Sequence, residues 1–189
     1  MNIKIIAKIG LLVCFVYFII VAVQIAFNNN FTLHLVSIIT MLSGLYMTML
    51  VVAFPVEKEH KQFYRIMAIL CVSVCMIFTN ATHFINIAII MPLIASGIPI
   101  SDYFQIGKYP SVLMAIDYLG WGLFMGLSFI HSSRFISSAT KLKRFLLLCG
   151  CLCLIGFIGH IFNENLWYIA PFGYGVGTAI ICIRLLLQE

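Results

Sequence analysis

Polar side chains cluster at positions 79–86, inside an apolar run that follows Arg65 and continues to Ile100. This segment reads TNATHFIN and carries an imidazole, two amides and two hydroxyl groups. In a helix, positions 79, 83 and 86 share one face, and Asn80 precedes His83 by three residues. Polar side chains within so apolar a run almost always face a bundle interior or a wet cavity. The segment is therefore the first candidate for a functional site.

The next apolar run offers a partner for this polar face. Asp117 lies ~10 Å along the helix from Pro110, and His83 lies ~14 Å from Pro92, at ~1.5 Å per residue. Consecutive helices with a short connection usually pack as neighbours, so we expect His83 to lie near Asp117. Trp121 lies one turn further along. We predict a substrate-binding cavity lined by these residues: Asn80, His83, Asn86, Asp117 and Trp121.

Composition defines the class of protein. The chain is 63% hydrophobic and 9% charged, whereas soluble domains carry about 25% charged residues. These values predict an integral membrane protein. Its 189 residues have room for several spans and little else, so we expect a single transmembrane domain over residues 1–189.

Short polar clusters divide the chain into six apolar segments, each long enough for a helix that crosses the ~30 Å hydrocarbon core. The first apolar segment is longer than the apolar part of a signal peptide, so we interpret it as a membrane span. The sequence predicts an all-α fold, a polytopic six-transmembrane-helix bundle. Its spans are expected at roughly 5–27, 31–54, 66–92, 111–130, 145–162 and 167–183.

The basic residues predict the orientation. If the N-terminus is cytoplasmic, only Lys108 of the eleven Lys and Arg residues lies outside. This bias follows the positive-inside rule and predicts cytoplasmic N- and C-termini. The net charge of +5 is explained by this topology, so we expect the lipid bilayer as a partner and no nucleic acid. We expect the plasma membrane or the bacterial inner membrane.

Glycine spacing indicates close helix packing. Gly122 and Gly126 form G-x-x-x-G in the fourth span, and Gly173 and Gly177 form a second one in the sixth. Small residues at this spacing let two helices approach. Packing within the bundle is the expected role. The alternative is a non-catalytic scaffold or sensor that uses these faces to bind another membrane protein.

An intramembrane metal- or haem-dependent enzyme is a further alternative. His34, His83 and His160, with Asp117 or Glu164, could form a zinc site. Histidines in the third and fifth spans also resemble the layout of six-span b561-type cytochromes, which hold haem between histidines. Among catalytic patterns, G-x-S-G, H-E-x-x-H and the P-loop are absent from the sequence. The interpretation leans away from an enzyme, and the cofactor stays unknown.

The six-span layout and length resemble the substrate-binding subunits of vitamin-uptake carriers, which capture a small solute from outside. Ala22 and Ala26 also give the A-x-x-x-A spacing that those subunits use for partner contact. The leading hypothesis is binding or transport of a small molecule or ion through an outward-facing polar cavity between the third and fourth spans. If His83 takes part, binding should change between about pH 5 and 8, where histidine titrates.

The connection at 95–110 is the one long outer loop. Gly97 and Pro99 should end the third helix, and the apolar residues that follow can rest at the membrane interface. We expect a lid over the cavity with hinges near Gly97 and Gly107. A passive interfacial connector is the alternative.

Overall fold

Six long helices make up the computed structural model, which describes residues 2–27, 29–56, 61–136 and 140–187. All six are long and apolar enough to cross a membrane, and this part of the chain contains no β-strand. The prediction of an all-α, six-span membrane protein is therefore confirmed. The six spans are Ile3–Phe27, Asn30–Ala53, Gln62–Ala95, Val112–Phe135, Lys141–Phe162 and Asn165–Leu186.

The third span is longer than predicted. It has 34 residues, or about 51 Å at 1.5 Å per residue, and so exceeds the ~30 Å hydrocarbon core. We expected it to end near Pro92. Proline inside a helix removes a backbone donor and crowds the carbonyl four residues earlier, but here a π-helical turn at Asn86–Ile90 ends two residues before Pro92. The helix then continues to Ala95.

Local capping fixes where the helices around the site begin and end. Ser111 caps the fourth span by accepting a hydrogen bond from the Met114 amide at 3.4 Å. The third span ends in a Schellman motif, in which the Ile98 amide bonds Leu93 O at 3.0 Å. Gly97 supplies the positive φ of 76° that this motif requires. Gly97 therefore ends the third helix, as its type indicated, although the span itself was expected to end near Pro92.

The six helices pack mainly with their neighbours. The third contacts the second and fourth, the first contacts the second and sixth, and the fifth contacts the fourth and sixth. The apolar core fills the half of the bundle that carries both chain ends. Its fully buried side chains include Leu50, Val72, Met125, Phe129, Leu146 and Ile181.

Both G-x-x-x-G pairs pack against the fifth span. A Cβ on Gly126 would lie 3.0 Å from Gly150 O, and one on Gly150 would lie 2.7 Å from Gly126 O. A Cβ on Gly173 would lie 2.5 Å from Cys149 O. These helices meet backbone to backbone, so the predicted packing role is confirmed.

Two of the polar clusters that separate the apolar segments are described only in part. Residues 57–60 of the charged cluster at 57–61 and residues 137–139 of the basic cluster at 134–144 lie outside the described residues.

Candidate functional site

The third and fourth spans bring His83 and Asp117 together. His83 Nε2 lies 3.8 Å from Asp117 Oδ2, and the two side chains are 4% and 18% exposed. This distance is within reach of an ion pair but exceeds a direct hydrogen bond. The structure thus places these two residues side by side, as the sequence predicts. Their role in substrate binding stays a prediction.

Several polar atoms of the third and fourth spans, two of them in this pair, are buried without a hydrogen-bond partner in the part of the chain that the structure describes. They are Thr79 Oγ1, Asn80 Oδ1, Thr82 Oγ1, His83 Nδ1 and Asp117 Oδ1. Leaving a buried polar group unsatisfied costs about 1–3 kcal/mol. Such a cluster is expected where water, an ion or a polar ligand supplies the missing partners. We call these five residues the polar centre.

Asn86 faces the second span instead of Asp117. Its Nδ2 donates to Ser37 Oγ at 3.2 Å, and both side chains are buried. Asn80 also approaches the second span, because a Cβ on Gly44 would lie 3.6 Å from Asn80 Oδ1. The two amides therefore lie toward the second span, while His83 faces the fourth.

Trp121 belongs to a separate small cavity of about 40 Å³, large enough for a few water molecules. Its ring lies 4.8 Å from that of Tyr174 in the sixth span. Of the five residues predicted to share one cavity, Trp121 alone lines this one. The lining comes from the first, second, fourth and sixth spans and includes Tyr17, Ser43, Tyr46, Met47 and Thr178.

Tyr17, Tyr118 and Tyr174 lie within electrostatic range of Asp117. The sequence did not indicate Tyr17 or Tyr118 as site residues. Depth was the available signal, because Tyr17 lies ten residues before Phe27, or ~15 Å into the first span and close to the depth of His83.

Three of the helices that contribute to this region, the third, fourth and sixth spans, each contain a π-helical turn. The turns are Asn86–Ile90, Leu119–Phe124 and Phe172–Val176. The first turn begins at Asn86, the second contains Trp121 and the third contains Tyr174. Single π-helical turns are rare in proteins, but those that occur often lie at functional sites, because they change the direction of the side chains around them. The sequence analysis did not predict them, although two contain a G-x-G pattern that could have signalled an irregular turn.

A larger pocket of about 290 Å³ opens at the far end of the bundle from the chain termini. The connection at 95–110 contributes one wall, and the fourth, fifth and sixth spans contribute the others. Gly107, the predicted second hinge, has a positive φ of 85°. The lid motion stays a prediction. We call this site the outer pocket, and its lining residues are Gly107, Lys108, Tyr109, Met114, Tyr118, His160, Asn165, Trp167 and Tyr168.

The histidines of the alternative zinc site are not brought together. In the described ranges, no group of three His, Cys, Asp or Glu side chains could hold a metal ion. His34 contacts the Asn30 carbonyl of its own helix at 2.9 Å. The ring of His160 stacks on Tyr118 with a centroid distance of 4.9 Å. The Glu164 side chain lies outside the description.

Comparison with known protein families, curated proteins and solved structures finds no match for this chain. Architecture and site therefore define its class. The chain is an integral, multi-pass, α-helical membrane protein with a buried polar centre between its third and fourth spans.

Proposed function

We propose that this protein binds or transports a small molecule or ion through an outward-facing polar site between its third and fourth spans. The observation that carries this proposal is the polar centre, where His83 and Asp117 lie 3.8 Å apart among buried polar atoms without partners. Polar groups at membrane depth are costly and usually mark a solute or ion pathway. A polar solute or ion that enters the site would satisfy these groups.

The packing favours this role over a scaffold. Both G-x-x-x-G pairs contact the fifth span through Gly150 and Cys149. The faces that a membrane-protein partner would need are therefore occupied within the chain. A metalloenzyme would need convergent ligands, and the described side chains offer no group of three.

We propose that the protein lies in the plasma or inner membrane. In the proposed orientation, both termini are on the cytoplasmic side. Lys108 is then outside and the other ten basic residues are inside. A membrane-impermeant maleimide should label Lys108→Cys in intact cells and Lys141→Cys only after permeabilisation. The unsubstituted chain measures the background from its seven cysteines. The reverse labelling pattern would refute this orientation.

Ligand screening tests the binding site. Purified protein is screened by thermal shift against small solutes and ions, and native mass spectrometry identifies any solute that the protein retains. A ligand at 100 times its Kd stabilises the folded state by about 2.7 kcal/mol. We expect His83→Ala and Asp117→Asn to lose this stabilisation. His131→Ala, at the other end of the fourth span, and Asp102→Asn, on the exposed connection, are matched controls.

Uptake into proteoliposomes then separates transport from binding alone. A transported ligand should accumulate with the wild-type protein and with both control variants, but not with His83→Ala or Asp117→Asn. If both site variants match the wild type with every ligand that binds, the polar centre is not the binding site and the proposal is wrong.

A further inference from the structure

The outer pocket is a second site, separate from the polar centre. Its floor is the buried ring of Tyr118, and its rim includes the exposed side chains of Lys108, Tyr109 and Tyr168. A volume of about 290 Å³ is at the lower end of the range for small-molecule sites, which starts at roughly 300 Å³. The pocket therefore fits a small ligand.

Aromatic rings form a continuous wall in this pocket. The Tyr118 ring stacks on His160 at 4.9 Å and meets Trp167 edge to face at 5.3 Å. Trp167 stacks on Tyr168 at 4.0 Å, and Tyr109 meets His160 at 5.4 Å. Ring faces and edges favour other aromatic groups by about 0.5–1.5 kcal/mol per pair. Such walls favour a planar ligand.

The charge of the pocket selects the sign of the ligand. Lys108 is the single basic residue on this side of the proposed topology, and it lines the pocket. Asn165 adds an amide donor, and no acidic residue is among the described residues of the lining. A cation would be repelled by Lys108, whereas a carboxylate would accept a charge-assisted hydrogen bond from it.

We propose that the outer pocket binds a small aromatic carboxylate, with its ring against Tyr118 and Trp167 and its carboxylate at Lys108. Tyr118 follows Asp117 in the fourth span and lines the outer pocket. The fourth span therefore connects the pocket with the polar centre. This inference rests on the proposed function in one respect: the aromatic carboxylate is the class of solute that would pass from the outer pocket to the polar centre.

Three probes with one ring system test the proposal: 2-naphthoate, the uncharged 2-naphthamide and the cationic 2-naphthylmethylammonium. Binding of each probe to the purified protein in detergent is measured by equilibrium dialysis. Protein-free detergent micelles in the opposite chamber correct for partitioning of the probe into detergent. We expect the wild type to bind 2-naphthoate more tightly than either of the other probes. Lys108→Gln should weaken 2-naphthoate binding by about three- to tenfold, the effect of losing a charge-assisted hydrogen bond at an exposed site.

Matched variants separate charge from stacking. Lys108→Gln should leave 2-naphthamide binding within about twofold of the wild type, because the amide lacks the charge that Lys108 recognises. Trp167→Leu should weaken both probes. Lys141→Gln and Tyr103→Leu remove an exposed lysine and an exposed ring outside this lining, so neither should change binding.

Three results would each overturn the proposal. They are no saturable binding of 2-naphthoate, an equal effect of Lys108→Gln and Lys141→Gln, and tighter binding of the ammonium probe. Lys108 lies on an exposed turn, so its substitution should not prevent folding, and elution as a single species checks this.

The two proposals fail separately. Lys108-dependent binding of 2-naphthoate, with uptake of every ligand unaffected by His83→Ala and Asp117→Asn, would uphold the outer pocket and refute the proposed function. Uptake of other ligands that depends on His83 and Asp117, with no binding of 2-naphthoate, would refute the outer pocket alone.

Discussion

The contact between His83 and Asp117 can be tested without knowing the ligand, by a double-mutant cycle. The cycle compares the wild type, His83→Ala, Asp117→Asn and the double variant. Each single substitution removes one partner and leaves the other, a buried His83 or a partly buried Asp117, without it. If the two side chains interact, the double variant should lose less stability than the sum of the single losses.

The geometry sets the expected size of this effect. Unit charges about 4 Å apart attract by about 4 kcal/mol at an effective dielectric constant of 20. Desolvation offsets much of this attraction when a pair is buried. Contacting residues commonly couple by about 0.5–3 kcal/mol. We expect a coupling energy of about 1–2 kcal/mol, because the Asp117 side chain keeps 18% of its exposure and water screens the pair.

The free energy of unfolding of each variant is measured in detergent at about pH 5 and about pH 8. Two pH values are used because an imidazole forms an ion pair with a carboxylate only when it is protonated. Losses that add to within about 0.5 kcal/mol at both values would show that the side chains are energetically independent. That result would refute the ion pair and weaken the argument for the polar centre.

Three further predictions concern packing, hydrogen bonding and ligand binding. Gly150→Ala should destabilise the fold by about 1–3 kcal/mol, because its Cβ would lie 2.7 Å from a carbonyl oxygen of the fourth span; Gly44→Ala, with its nearest contact at 3.6 Å, is the control, and equal unfolding midpoints would contradict the packing. Asn86→Leu should cost about 1–3 kcal/mol of unfolding free energy because it leaves the buried Ser37 hydroxyl without its donor, and an unchanged midpoint would argue against this bond. Ligand affinity should change between about pH 5 and 8 in titrations, whereas a flat profile would mean that His83 is only structural.

The sequence was sufficient to predict the class of fold and the number of spans. Hydropathy is a local property, and a bilayer requires about 20 consecutive apolar residues per helix, so six such segments predict six spans. The same reasoning identified the segment at 79–86, because polar residues in such a run stand out against it. The contact of His83 with Asp117 followed from depth and from the pairing of consecutive helices.

The arrangement of side chains around this contact depends on packing between distant parts of the chain. The sequence placed Asn86 on the same face as His83, but Asn86 lies toward the second span, where it donates to the hydroxyl of Ser37. The helix forms a π-helical turn that begins at Asn86. A regular helix repeat cannot predict such a turn, because the turn changes the repeat itself.

The outer pocket illustrates the same limit. Its residues come from the connection at 95–110 and from three spans, so Lys108 and Trp167 are far apart in sequence but line one site. Taken separately, Lys108 and Trp167 each have the residue type that is expected at a membrane interface. The sequence determined which residues lie in the membrane and at which depth, because burial in lipid acts on each segment separately. Apart from the contact of His83 with Asp117, tertiary structure decided which side chains face each other, because that depends on helix rotation and on turns set by neighbouring helices.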